Sequence, residues 1–227
     1  MRRPLLFLFL ITMASFSYAQ KQRIADKVPP FTFLESAIDS TSISFIRTFK
    51  CISNKKDDIP SLYRAIAYQA KGLGANSFKV SSFNRDSLGV MTLVLDTYSA
   101  DSSVLSSNRQ MHESNVVYIF SDDKFNNKEY TVSINRVKHS LQSGKYIRHT
   151  IEQGKQVRID KGGRIGSSLI IHWESDKPAQ YVTVSGFAFT EGPPNRSGGS
   201  IGVTSGIINS LDSNLGMLLA AILIEQK

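Results

Sequence analysis

The chain has 227 residues, 41% of them hydrophobic and 20% charged, which is enough apolar material for one or two cored domains and excludes a compositionally disordered polymer. One cysteine excludes a disulfide scaffold, a four-cysteine zinc site and a CxxC redox centre. No apolar run reaches the eighteen or so residues of a strong membrane span, and 27 basic against 19 acidic residues leave a net charge of +8.

Residues 1–19 read as a secretory signal peptide. Arg2 and Arg3 precede an apolar stretch from Leu5 to Met13, and Ser17 and Ala19 place small residues at −3 and −1 of a cleavage site. Removing nineteen residues and two charges leaves 208 residues at +6, beginning at Gln20. Residues 20–39, with Pro29-Pro30, read as a polar, extended lead-in.

Residues 40–100 read as a β-α-β-β unit. Ser42 to Ser53 has strand character, with Ile43, Phe45, Phe49 and Cys51 at period two and Arg47 interrupting that face. Cys51 reads as a small buried apolar residue rather than a nucleophile, because no base or electropositive setting lies near it in sequence. Asp58 is placed to N-cap a helix with Pro60 in its first turn, carrying Leu62, Ile66, Ala70 and Leu73 at helical spacing. Ala75 to Phe83 and Leu88 to Tyr98 complete the unit.

Residues 101–114, rich in Ser, Asp and Asn, read as a linker. From 115 to 191, short strands separated by glycine turns predict an antiparallel β-sandwich. Residues 192–227 form a Gly-rich apolar tail. Gly198, Gly202 and Gly206 would share one face of a helix and permit close packing or self-association. Leu215 to Ile224 would either dip into a bilayer with them as a short helical hairpin or pack on the β domain as a buried strand or helix. The fold class is therefore α+β.

The stretch Ala70-Lys71-Gly72-Leu73-Gly74-Ala75-Asn76, followed by Ser77-Phe78-Lys79-Val80, resembles the helix–turn–strand signature of small bacterial envelope domains. These include the Rcs-type stress-sensor lipoprotein and the putative heavy-metal-binding family. The resemblance covers residues 42–98 and implies an envelope location. The sensor's cysteines are missing apart from Cys51, and no metal-ligand cluster occurs here, so neither sensing nor metal binding carries over. Residues 115–190, through Val116–Phe120, Tyr130–Asn135 and Leu141–Tyr146, are similar to an uncharacterised β-domain of bacterial secreted proteins and lipoproteins. That similarity implies a sandwich presenting a surface, with no catalytic residues.

The chemistry-bearing residues nominate no catalytic group, no metal and no cofactor. The histidines are His112, His139, His149 and His172. None lies at the i, i+4 spacing of a helical zinc site, although His139 and His149 flank a predicted hairpin and can approach each other. Asp122-Asp123 with Glu129 lacks EF-hand spacing. Trp173 reads as a core or rim residue.

The charge is more informative. Arg136, Lys138, Lys145, Arg148, Lys155, Arg158, Lys161 and Arg164 face only Glu152 and Asp160, and the rest of the mature chain balances. On a meander, these residues would form one basic outward face over an apolar inner one. Such a face attracts anionic lipid, envelope polymer or an acidic partner protein. Nucleic acid is not expected of an exported chain without a binding-module signature. The resulting expectation is an exported, non-enzymatic envelope protein, in the periplasm, at the outer-membrane periphery or outside the cell. The alternatives are an oligomerising component that associates through its tail, or an enzyme of another class built around His139 and His149.

Overall fold

The computed structural model describes residues 30–54, 57–121, 128–162, 166–185 and 206–226, together with the backbone of 188–191 and 201–204. The signal-peptide reading, Asp122-Asp123, Arg164 and Gly198 lie outside these residues. The architecture is α+β, as expected.

The first unit is a four-stranded sheet in the order β1-β3-β4-β2, comprising β1 (Thr32–Phe33), β2 (Ser44–Ile52), β3 (Ser77–Arg85) and β4 (Met91–Ser99). Helix α1 (Ile59–Gly72) begins where Asp58 accepts the Ser61 N–H at 2.8 Å, and it buries Ile59, Leu62, Tyr63, Ile66 and Ala70. Leu73, expected on that face, is the C-cap and is exposed. Asn76 ends the reversal after Gly74. Its amide donates to Ala100 O at 2.7 Å, and its Oδ1 accepts the Ala100 N–H at 2.9 Å, tying the start of β3 to the end of β4.

Three expectations for this half need correction. The lead-in is not merely extended: β1 pairs in parallel with β3, and Phe31, Phe33, Leu34 and Ile38 are core residues. In β2, a bulge between Phe45 and Arg47 shifts the pleat, so Phe45 is exposed while Ile46, Phe49 and Cys51 pack on the core. The presumed linker contains helix α2 (Ser102–Met111), N-capped by Asp101 through a 2.9 Å bond from the Val104 N–H. Val104 and Leu105 pack against a small cluster around Leu34, Ile38 and Tyr98.

The second half contains two facing sheets. One has the order β10-β9-β6-β7, from β6 (Glu129–Ile134), β7 (Val137–Gln142), β9 (Gln156–Lys161) and β10 (Ser167–His172). The other has the order β14-β11-β5-β8-β15, from β5 (Val116–Phe120), β8 (Lys145–Thr150), β11 (Gln180–Ser185), β14 (Ile207–Ser210) and β15 (Ile224–Glu225). Val117, Ile119, Val132, Leu141, Ile159 and Val182 fill the space between them. This is a sandwich, but not a purely antiparallel one, because β11 joins β5 and β15 joins β8 in parallel. β12 (Ala188–Glu191) and β13 (Ile201–Thr204) form a separate hairpin.

The tail is part of the fold. Gly202 lies in β13 and Gly206 just before β14, so they do not share a helix face as expected. The close helix packing comes from a different glycine, Gly216. Helix α3 (Ser213–Ile222) is apolar on most of its surface and buries Met217, Leu218 and Leu219. A Cβ at Gly216 would overlap the base of the Tyr181 ring. The apolar run therefore packs on the molecule through Leu215, Met217 to Ala220, Ile222 and Leu223, while Ile224 is exposed. The core it joins is continuous from Leu62 and Phe78 of the first unit to Phe120 and Tyr181 of the second, so the two units share one core.

Candidate functional site

The seven of the eight basic residues that are described do not form one face. β8 belongs to the five-stranded sheet, while β7 and β9 lie in the other sheet with β6 between them. Their partners differ as well. Arg148 makes two hydrogen bonds to Glu113, of 2.7 and 3.1 Å, and Tyr118 Oη donates to the same carboxylate at 2.5 Å. These bonds hold Glu113 below the usual carboxylate range, while burial and the Glu113 charge push the Tyr118 phenol up. Lys155 pairs with Glu152, and Arg158 Nε lies 2.9 Å from Asp160.

Lys161 points inward. It is 7% exposed, donates to Thr131 O at 2.9 Å and lies 5.1 Å over the Tyr130 ring. Burial lowers its pKa. Arg136 occupies a two-residue turn after β6, where Asn135 and Arg136 both have positive φ, of 50° and 71°. Lys145 is half-buried at the start of β8.

What the fold does assemble is a cleft of about 480 Å³ on the flank where the edges of the two sheets diverge, between β7 and β8. Lys138, His139, Arg148 and His149 line it, and Glu225 is the one carboxylate on its wall among the described residues. His139 and His149 lie on the same pleat faces as Leu141 and Ile147, which pack against the inter-sheet core. Both therefore line the open end of that core, but not as the flanks of a hairpin: β7 and β8 belong to opposite sheets and do not pair. Burial and the nearby His139 lower the His149 pKa, with Glu152 opposing. Lys138 is exposed and has no ion-pair partner among the described residues. Among the described residues, no group of three His, Cys, Asp or Glu is arranged to hold a metal.

A second groove, of about 240 Å³, opens between α2, α3 and β11, with Arg109 and His112 on its wall. Beside it, buried Asn108 fixes the lead-in: its Oδ1 accepts the Glu35 N–H at 2.8 Å and its Nδ2 donates to Phe33 O at 2.8 Å. The same Nδ2 lies 3.2 Å from His112 Nε2, which must then accept, so the ring is neutral with its proton on Nδ1. Burial and Arg109 lower the His112 pKa accordingly.

Cys51 is half-buried, and burial pushes its thiol pKa up, the opposite of an activated nucleophile. Trp173 packs at the rim of the sandwich core, as expected. No helix among the described residues is long and apolar enough to cross a membrane. Comparison with protein-family models, with curated proteins and with solved structures finds no match.

Proposed function

We propose that the chain is an exported bacterial cell-envelope protein that binds an anionic partner without catalysing a reaction. The observation carrying this reading is the β7/β8 cleft, where Lys138, which has no ion-pair partner among the described residues, and two histidines line a cavity with Glu225 on its wall, the Arg148 charge being taken up by Glu113. An unpaired lysine beside titratable histidines in a concave site attracts counter-charged ligands. The N-terminal pattern of Arg2-Arg3, apolar stretch and Ser17-Tyr18-Ala19 supports export, and the Leu73-Gly74-Ala75-Asn76 resemblance supports an envelope location.

Binding of the mature chain to dextran sulfate and to phosphatidylglycerol vesicles, at low and high salt, tests the reading. The expected result is salt-sensitive binding that weakens with Lys138→Glu and persists with Lys161→Met, because Lys161 is inside the fold. Binding indifferent to salt and to Lys138→Glu would overturn it. Intact-mass measurement of the exported form is expected to begin at Gln20.

A further inference from the structure

The groove between α2, α3 and β11 shares no wall residue with the β7/β8 cleft and holds a polar group that the fold leaves unanswered. Tyr181 is 8% exposed, yet its hydroxyl makes no hydrogen bond among the described residues. Buried polar groups are as a rule hydrogen-bonded, so an unpartnered one on a groove wall marks a contact point for a ligand. The base of the ring rests on Gly216 and its plane stacks on Tyr118 at 5.1 Å, which leaves the hydroxyl end for the groove. Burial, with the Glu35 and Glu113 charges, pushes the phenol pKa up to about 12, so the oxygen keeps its proton and donates.

The rest of the wall offers the same chemistry. The Arg109 guanidinium is exposed and has no ion-pair or hydrogen-bond partner among the described residues. His112 accepts at Nε2 from Asn108, which leaves its Nδ1–H to donate. Asn214 accepts the Phe33 N–H through Oδ1 and keeps its Nδ2 hydrogens. No carboxylate lines the groove among the described residues. Glu35 and Glu113 act on Tyr181 from off the wall, and Glu113 is itself held by Arg148 and Tyr118. Pro30, Pro178 and Met217 supply apolar surface. Size limits the occupant. A cavity of about 150 Å³ admits benzene, drug-sized ligands need roughly 300 Å³ or more, and this groove, of about 240 Å³, lies between the two.

We propose that this groove binds a small monocarboxylic acid built on one aromatic ring or a branched chain of similar volume. The carboxylate pairs with Arg109 and accepts from Tyr181 Oη, and the apolar body lies on Met217 and the two prolines. A planar guanidinium meets a carboxylate through two parallel bonds, which a spherical anion does not exploit. A wall of donors with a fixed positive charge disfavours an amine ligand. The site is separate from the β7/β8 cleft, and the proposal does not depend on anion binding there.

The test is an NMR titration of the mature chain with phenylacetate and isovalerate, set against phenylacetamide, which keeps the shape of phenylacetate and lacks its charge. The expected result is that the acids bind and shift the Ala179 and Met217 amides, and that phenylacetamide binds about tenfold or more weakly. Tyr181→Phe is expected to leave the melting temperature of the free protein unchanged, because the hydroxyl has no bond to lose, and to weaken phenylacetate about tenfold. Arg109→Gln, at an exposed position, is expected to weaken it likewise, and Lys138→Glu to leave it unchanged. The proposal is overturned if neither acid binds, if the amide binds as tightly as the acid, or if Tyr181→Phe and Arg109→Gln both leave the affinity unchanged. A loss of phenylacetate binding with Lys138→Glu would move the ligand to the other cleft and overturn it as well. So would binding seen only in a variant that begins at Val28, which would assign the groove to the residues preceding Pro30.

Discussion

Gly216 lies directly against Tyr181, with no room for a side-chain carbon between helix α3 and strand β11. Gly216→Ala is expected to force the helix off the sheet and cost about 1–3 kcal/mol, the usual penalty for overpacking a filled core. A lowered urea midpoint at unchanged slope checks this; an unchanged midpoint would show that the helix is held elsewhere.

Asn108 satisfies two backbone groups with one side chain, the Glu35 N–H and the Phe33 carbonyl. Asn108→Leu leaves both without a partner in a buried setting, at about 1–3 kcal/mol for each. The expected outcome is a loss of about 2–5 kcal/mol in chemical denaturation, together with faster proteolysis of the lead-in around Phe31 to Glu35.

Acid sensitivity follows from His112 and His149, both of which have lowered folded pKa values. In the window just below the ordinary histidine value of 6.5, the unfolded chain binds more protons than the folded one. Their contribution to stability is thus present above that value and is lost as pH falls through the folded pKa values. Glu35, raised by burial and by Glu113, works the other way: its contribution is present below 4.5 and is lost as pH rises through its folded value. Melting temperature is expected to fall on acidification below about 6.5. The double variant His112→Gln, His149→Gln is expected to flatten that slope. Bound sulfate is expected to raise the melting temperature more at acid than at neutral pH, because His149 then becomes charged on the cleft wall beside Lys138, with Glu225 and the nearby Glu152 opposing.

Arg136 holds a left-handed conformation that favours glycine. Arg136→Gly is expected to stabilise the chain by about 0.5 kcal/mol, relief of the backbone penalty outweighing the added freedom of the unfolded chain. It is also expected to leave binding at the cleft nearly unchanged; thermal melts and the dextran sulfate assay measure the two effects separately.

Some of the structure is written in local pattern. The α1 start at Asp58 and the wholly apolar β5 are readable because one cap and one uninterrupted run decide them. Helix α2 was obscured because its sequence, Ser-Ser-Val-Leu-Ser-Ser-Asn-Arg-Gln-Met, has little apolar period; its signals are the Asp101 cap and Arg109 in the last turn. The basic face failed for a different reason. Alternation assigns residues to faces of a strand, but which sheet a strand joins depends on pairings distant in sequence, and β8 crosses to the sheet opposite β7. That the two histidines line one cleft was legible because β7 and β8 are sequence neighbours joined at Gly144, although the strands enter different sheets.

The bond from the Phe33 N–H to Asn214 Oδ1 spans 181 residues, and Met217 to Leu219 complete a core begun by Phe31 and Phe33. A ribosome therefore delivers the first unit long before the helix that covers it. Until α3 emerges, the apolar faces of both halves remain open to solvent and to other chains. Such a chain finishes folding only after its synthesis is nearly complete, so truncation before α3 leaves both halves with an unsealed core.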